Sequence, residues 1–168
     1  MALIKLNNNS ISTGFGKVGQ VVIQHFDTVT TVASQAFADT GLTANITPSA
    51  TSSKVLITFT ISASNQSGTI YPAYKIFRDS TEIGTSTTSG GTNTSVFAGG
   101  SINSQYHPQN ISMTFMDSPS TTNQVTYKLQ LSPQRSSSKT VKINAVFTGG
   151  DNNQLNTTSN TTLMEILA

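Results

Sequence analysis

The sequence predicts an all-β chain, a single β-sandwich of about 8–10 antiparallel strands behind an extended N-terminal arm. Three observations carry this. Apolar residues recur with period two over many short runs, and no segment keeps a 3.6-residue period. Clusters of Gly, Pro, Asn, Asp and Ser separate those runs. Thr, Ser, Asn and Gln make up nearly half of the chain, while charged residues make up only 10%, against about 25% in an average domain. Thr suits a half-buried pleated surface, and Ser and Asn suit turns. The composition is that of a β-scaffold whose surface is wetted by hydroxyls and amides.

Residues 1–18 read as the arm and 19–168 as the sandwich. Ala2 to Leu6 is a short apolar stub, and Asn7 to Lys17 is polar and Gly-rich without a period. A terminal segment of this kind is ordered only when something ties it down. Gln20 to Phe26 is the first strand, with Val21, Ile23 and His25 on one face. A turn at Asp39 to Gly41 leads into Thr40 to Thr47, where Leu42, Ala44 and Ile46 alternate with polar partners. Val55, Ile57, Phe59, Ile61 and Ala63 form the cleanest stripe of the chain. Ile70 to Arg78 is apolar on both faces and reads as central, with Pro72 marking a bulge or an edge. Arg78 to Thr81 is a hairpin turn returning through Ile83.

Thr85 to Gln109 is a long Gly/Ser/Thr/Asn stretch. A structureless loop of that length is rare in a compact domain, so a weak strand is expected near Ser95 to Ala98. Ile111, Met113 and Phe115 alternate next, then Val125, Tyr127, Leu129 and Leu131, then Val141, Ile143, Ala145 and Phe147. Thr162 to Leu167 closes the chain, with Leu163 and Leu167 flanking Glu165. This strand count and spacing favour a jelly-roll or C1q/TNF-like sandwich.

The chain has 168 residues, enough for one domain with a thin core. It has no Cys and no Trp, so disulfides and thiolate metal sites are excluded. Net charge is +2 and the nine Lys/Arg are scattered, unlike the clustered basic footprint of a nucleic-acid binder. No apolar run approaches the ~20 residues of a membrane span. The start MALIKLNNN turns polar too quickly for a secretory signal.

Catalytic motifs are weak. Gly14-Phe15-Gly16-Lys17-Val18-Gly19 matches GxGxxG, but it follows a polar arm and opens into a strand, whereas a dinucleotide site needs a strand before it and a helix after it. His25 and His107 are the two imidazoles; two His without Cys fall short of the Cys and His sets that hold structural zinc. Asp27, Asp39, Asp79, Asp117 and Asp151 sit at inferred strand ends, where Asp makes side-chain-to-backbone bonds. Tyr74 and Tyr127 fall on alternating stripes and read as core. Tyr106 and His107 lie in the long loop and are the candidate ligand or receptor contacts, because function concentrates on loops over rigid scaffolds. No cofactor is expected.

The opening Met1-Ala2-Leu3-Ile4-Lys5-Leu6-Asn7-Asn8-Asn9-Ser10 resembles the start of tail-fibre-like and other virion structural proteins of marine and cyanobacterial tailed phages. The runs Asp39 to Ser49, Ser52 to Ile57, Arg78 to Gly84, Asp117 to Thr122 and Thr162 to Ile166 are similar too, in order and over most of the chain. The resemblance implies a non-enzymatic protein on the virion surface, made in the host cytoplasm. It would be either a tail-fibre or receptor-binding tip, or a capsid decoration (cement) protein. Leu3, Ile4 and Leu6 would be the attachment contacts of the arm. Partners would be other virion proteins and a host surface glycan, with no nucleic acid and no membrane; the arm, the thin core and the habit of virion surface proteins to follow particle symmetry lead to the expectation of a homotrimer. A carbohydrate-binding module is the alternative, and a polysaccharide depolymerase comes last.

Overall fold

In the computed structural model, residues 17–66, 68–87, 96–133, 139–147 and 155–167 are described. The candidate arm contacts Leu3, Ile4 and Leu6 lie outside them. Eleven strands form among the described residues: β1 (Lys17–Phe26), β2 (Thr30–Val32), β3 (Ala38–Ile46), β4 (Lys54–Asn65), β5 (Ala73–Arg78), β6 (Thr81–Ile83), β7 (Ala98–Gly99), β8 (Gln109–Asp117), β9 (Val125–Ser132), β10 (Val141–Ile143) and β11 (Ser159–Leu167).

They fall into two antiparallel sheets. The first runs β1-β11-β4-β10-β2, with β8 on the other edge of β4. The second runs β3-β9-β5-β6, with β7 also on β5. Several strands are pieces of one line. β11 and β10 share an edge of β4, β1 and β2 follow that line on its far side, and β6 and β7 share the edge of β5 that β9 leaves open. Merging the pieces leaves eight strand positions along the chain. One sheet then reads 1-8-3-6 and the other 2-7-4-5. This is a long hairpin of pairs 1·8, 2·7, 3·6 and 4·5, rolled so that alternate pairs fall in opposite sheets. The sandwich expected from sequence is therefore a jelly roll, an arrangement of two Greek keys.

Between the sheets lies one core. β4 contributes Val55, Ile57, Phe59 and Ile61, β11 contributes Leu163, and facing them are Leu42, Ile46, Tyr74, Ile76, Tyr127, Leu129 and Leu131. On the outer face of the first sheet the pattern inverts. Thr58 and Thr60 of β4 meet Thr114 and Ser112 of β8, with hydroxyl pairs at 3.2 and 3.1 Å. These cross-strand hydroxyl pairs are where the Thr and Ser of the composition go.

The structure corrects several expectations. β1 begins at Lys17, so Lys17 and Val18 are strand residues inside the stretch read as arm. Val21, Ile23 and His25 do share a face, but it is the outer one; the half-buried residues are Gln20, Val22 and Phe26. The expected turn at Asp39 to Gly41 is a bulge within β3, where the register shifts between Asp39 and Thr43 and Gly41 takes φ 89°. Pro72 lies just before β5, as its missing N–H requires. The weak strand before the long loop's end is β7, with residues 88–95 outside the described set. The stripe Val141 to Phe147 breaks at Asn144, a left-handed residue at φ 63°. Asn144 is fully buried and knits the break. Its Nδ2 donates to the carbonyls of Phe26 and Thr28 at 3.1 Å, and its Oδ1 accepts from Ser159 Oγ at 2.6 Å.

Two buried tyrosines give opposite expectations. Both are closed to solvent, and burial pushes both phenols well above their ordinary pKa. Tyr127 Oη donates to Asp117 Oδ2 at 2.7 Å, while the Tyr74 hydroxyl has no hydrogen-bond partner. A buried unpaired hydroxyl is destabilising, and a paired one is not. Tyr74→Phe should therefore leave stability unchanged or raise it by about 1 kcal/mol, while Tyr127→Phe should lower it by about 1–3 kcal/mol, because Asp117 loses a donor. Urea unfolding of the two variants checks this; equal losses would refute it.

Candidate functional site

The strand pairings give the sandwich two unlike ends. Lys17, Lys54, Asp117 and Leu167 lie together at one end. The connections 47–53, 79–80 and 118–124 close that end. Val32, Asn65, Gln109 and Val141 lie at the other. There the connections 33–37, 68–72 and 100–108 gather. The twelve residues of β4 run from one end to the other, roughly 40 Å at the rise of a strand.

Tyr106 and His107 stand at the end opposite to Lys17. Their loop is strapped from beneath. Ile102, fully buried, exchanges two backbone hydrogen bonds with Ile70, at 2.9 and 3.0 Å. Asn65 Nδ2 donates to the Ile102 carbonyl at 2.8 Å and also to that of Gly68. The Ser104 carbonyl accepts from Asn65 N at 3.0 Å, and the Gln105 carbonyl from Phe147 N at 3.0 Å. Ser104 Oγ then accepts from the backbone N–H of Tyr106 and of His107, at 3.2 and 2.9 Å. This is a hydroxyl-capped turn that lifts both side chains off the body. Tyr106 is 52% exposed and His107 is exposed as well.

Sequence reasoning missed a neighbour. Tyr71 follows Ile70 directly, on the loop that the Ile70–Ile102 bridge ties to the Tyr106 loop, and it is 46% exposed. The available signal was Pro72, which sets Tyr71 before the strand rather than in it. Tyr71 and Tyr106 are thus two half-exposed phenols on tethered loops at this end.

At the end where β1 begins, the carboxylates are engaged structurally. Glu165 is 1% exposed, sealed shallowly beneath the 47–53 connection. Its Oε1 accepts from Ser49 N at 2.6 Å and Ser49 Oγ at 2.7 Å; its Oε2 accepts from Gln20 Nε2 at 2.8 Å. Buried Ser53 on the same connection lowers the pKa of the carboxyl further, by a smaller amount. Burial alone would raise the Glu165 pKa; the bonds from Gln20 and Ser49 overcome it and hold the group at about 2. Asp117 takes Arg78 Nη1 at 2.8 Å and Tyr127 Oη. Asp79 Oδ1 accepts from Thr126 N at 2.9 Å; toward the opposite end, near the start of β3, Asp39 accepts from Gln130 Nε2 at 2.8 Å. Glu82 pairs with Lys75 at 2.7 Å.

His25 and His107 do not meet. His25 is on β1 of the first sheet, and His107 is on the loop before β8 at the sheet's other edge. No group of three or more His, Asp or Glu able to hold a metal occurs among the described residues. A groove of about 600 Å³ runs between the edge strands β1 and β3, lined by Val22, Gln24, Phe26, Thr43, Asn45 and Thr126 among others. Tyr106 and His107 are not part of it.

No protein-family model and no curated protein sequence matches this chain. Among solved structures, the chain is similar to part of the structure of infectious bursal disease virus Gx strain, at 11% identity and a TM-score of 0.33. The match covers 99% of this chain but 47% of that one, so the present chain spans about half its length. At that level of likeness the match carries no argument about function, and the jelly roll rests on the strand order alone.

Proposed function

We propose that this chain is a non-enzymatic structural protein on the surface of a tailed-phage virion, acting as a tail-fibre or receptor-binding tip for a host glycan. The supporting observation is polarity. The chain enters the jelly roll at Lys17, and Tyr106, His107 and Tyr71 stand at the opposite end. A displayed module needs this arrangement, with attachment behind and contact in front. The nearly uncharged hydroxyl surface fits the same role, since its hydration is screened by salt far less than ion pairs are. Residues 1–16 would be the attachment arm.

Glycan-array binding of the full chain tests this. Tyr106→Ala and Tyr71→Ala, both on the surface, should each weaken binding about tenfold or more, the loss expected when one stacking ring is removed. Deleting residues 1–16 should abolish incorporation into virions and leave glycan binding intact. Capsid incorporation without any glycan binding would replace the tip with a decoration protein. Glycan binding by a chain that never enters virions would make it a carbohydrate-binding module, and release of reducing sugar would make it a depolymerase.

A further inference from the structure

β1 is the outermost strand of its sheet, ten residues long, with one edge on β11 and the other unpaired among the described residues. Natural edges of that length are blunted by Pro, by charge, by a bulge or by cover, and the bulge of β1 lies before Val21. From Val21 to Phe26 this edge has neither proline nor a formal charge. Its outer face carries Val21 and Ile23, 49% and 68% exposed. They do not stand alone. Val21 pairs with Met164, Met164 with Leu56, and Leu56 with Met116, which is 42% exposed. An apolar row thus crosses the whole sheet and ends at the open edge, and the next row toward Phe26 runs from Ile23 through Thr162 and Thr58 to Thr114.

We infer that the occupant of this edge is the β1 strand of a second copy, paired antiparallel about a two-fold axis at Val22. Apolar matching on the outer face together with the charges at the ends of β1 favours this register. Val22 meets its own copy, and Val21 faces Ile23 of the other chain on the outer face, twice across the axis. The apolar rows then join into one band across both sheets. Gln20 faces Gln24 beside the β1–β3 groove.

The bulge between Val18 and Val21 is counted as one position. Lys17 then lies opposite Phe26 of the other copy and one residue from its Asp27, and both Lys17 and Asp27 are exposed. Opposite charges therefore meet at both ends of the ribbon. Moving the axis to Ile23 would set Val21 against His25, and moving it to Val21 would keep Ile23 on an apolar partner, Val18, but leave Lys17 opposite Gln24 and away from Asp27. The interface is isologous, as a closed two-fold assembly requires. It stands independently of the virion reading and differs from the homotrimer expected from the sequence.

The test uses the full chain, which has no cysteine of its own. Sedimentation at 1–100 µM (about the range over which modest strand-pairing interfaces assemble) should show a dimer. Ile23→Lys, at an exposed position, should raise the dissociation constant by about 100-fold and leave the circular-dichroism melt unchanged, since it sets two ammonium groups against valines. Under mild oxidation, Val21→Cys mixed with Ile23→Cys should form a covalent heterodimer, and either variant alone should cross-link far more slowly. A monomer at 100 µM, a trimer indifferent to Ile23→Lys, or equal cross-linking by the single variants would each overturn the proposal.

Discussion

Replacing Glu165 by Gln should lower stability at neutral pH by about 2–4 kcal/mol, the range for leaving a closed hydrogen-bond site mismatched. The carboxylate is acceptor-only and receives Ser49 N, Ser49 Oγ and Gln20 Nε2. A Gln side chain keeps one acceptor and sets an amide donor against at least one of these donors. The connection 47–53 would lose its tie to β11, and with it the Gln20 bond to the Thr47 carbonyl at 2.7 Å.

The same site makes a pH prediction. The folded pKa of Glu165 is depressed to about 2, below its value of about 4.3 in an unfolded chain. A depressed carboxylate contributes stability that is complete above the unfolded pKa and lost as pH falls through the folded one. The wild type should thus lose roughly 2–3 kcal/mol between pH ~4.5 and ~2 on this account. Glu165→Gln should lack that component, so the gap between the two proteins should narrow with acid. Urea unfolding at pH 7, 4.5 and 2.5 measures it; a gap constant over that range would show that the carboxylate's charge is not what the site uses.

Gly41→Ala should be as damaging, by about 3 kcal/mol or more. The backbone at Gly41 has φ 89°, a conformation that costs an L-residue roughly 1–2 kcal/mol. A Cβ there would also enter the ring of Phe26 at three of its atoms, and moving a packed aromatic costs about 1–3 kcal/mol. The two terms separate in a double-mutant cycle. With Phe26→Ala as background the collision is gone, so Gly41→Ala should cost only about 1–2 kcal/mol. Equal costs in both backgrounds would place the whole penalty in the backbone and none in the ring.

The stripes were legible where one face was strictly apolar and the other strictly polar. Val55 to Ala63 has one period and one solution, and β4 became the central strand of its sheet. The hairpin at Arg78 to Thr81 was legible because Asp79 accepts the left-handed backbone that the turn needs, observed at φ 53°. β1 was not legible in the same way. Val21, Val22 and Ile23 are apolar in succession, so period two does not say which face turns inward. The bulge before Val21 and the edge position decided it.

The site divides along the same line. Tyr106 and His107 were recognisable as loop residues from the Gly- and Ser-rich stretch around them. Tyr71 was not, because its partner loop is set by the Ile70–Ile102 bridge, a contact between residues far apart in sequence. Glu165 looked like an ordinary polar residue between two leucines. Its fate depends on Ser49 and Gln20, supplied by β1 and the β3–β4 connection.

The sequence by itself determined most of the strands, most of the turns and the hydroxyl character of the surface. These depend on residues within a few positions of one another, through alternation, φ preference and side-chain-to-backbone bonds. Only the tertiary structure decided the jelly-roll order, the placing of Tyr106 opposite Lys17, the burial of Glu165 and the open apolar edge of β1. Those follow from which strand lies beside which, and strand neighbours are chosen by the core as a whole and not by any local segment.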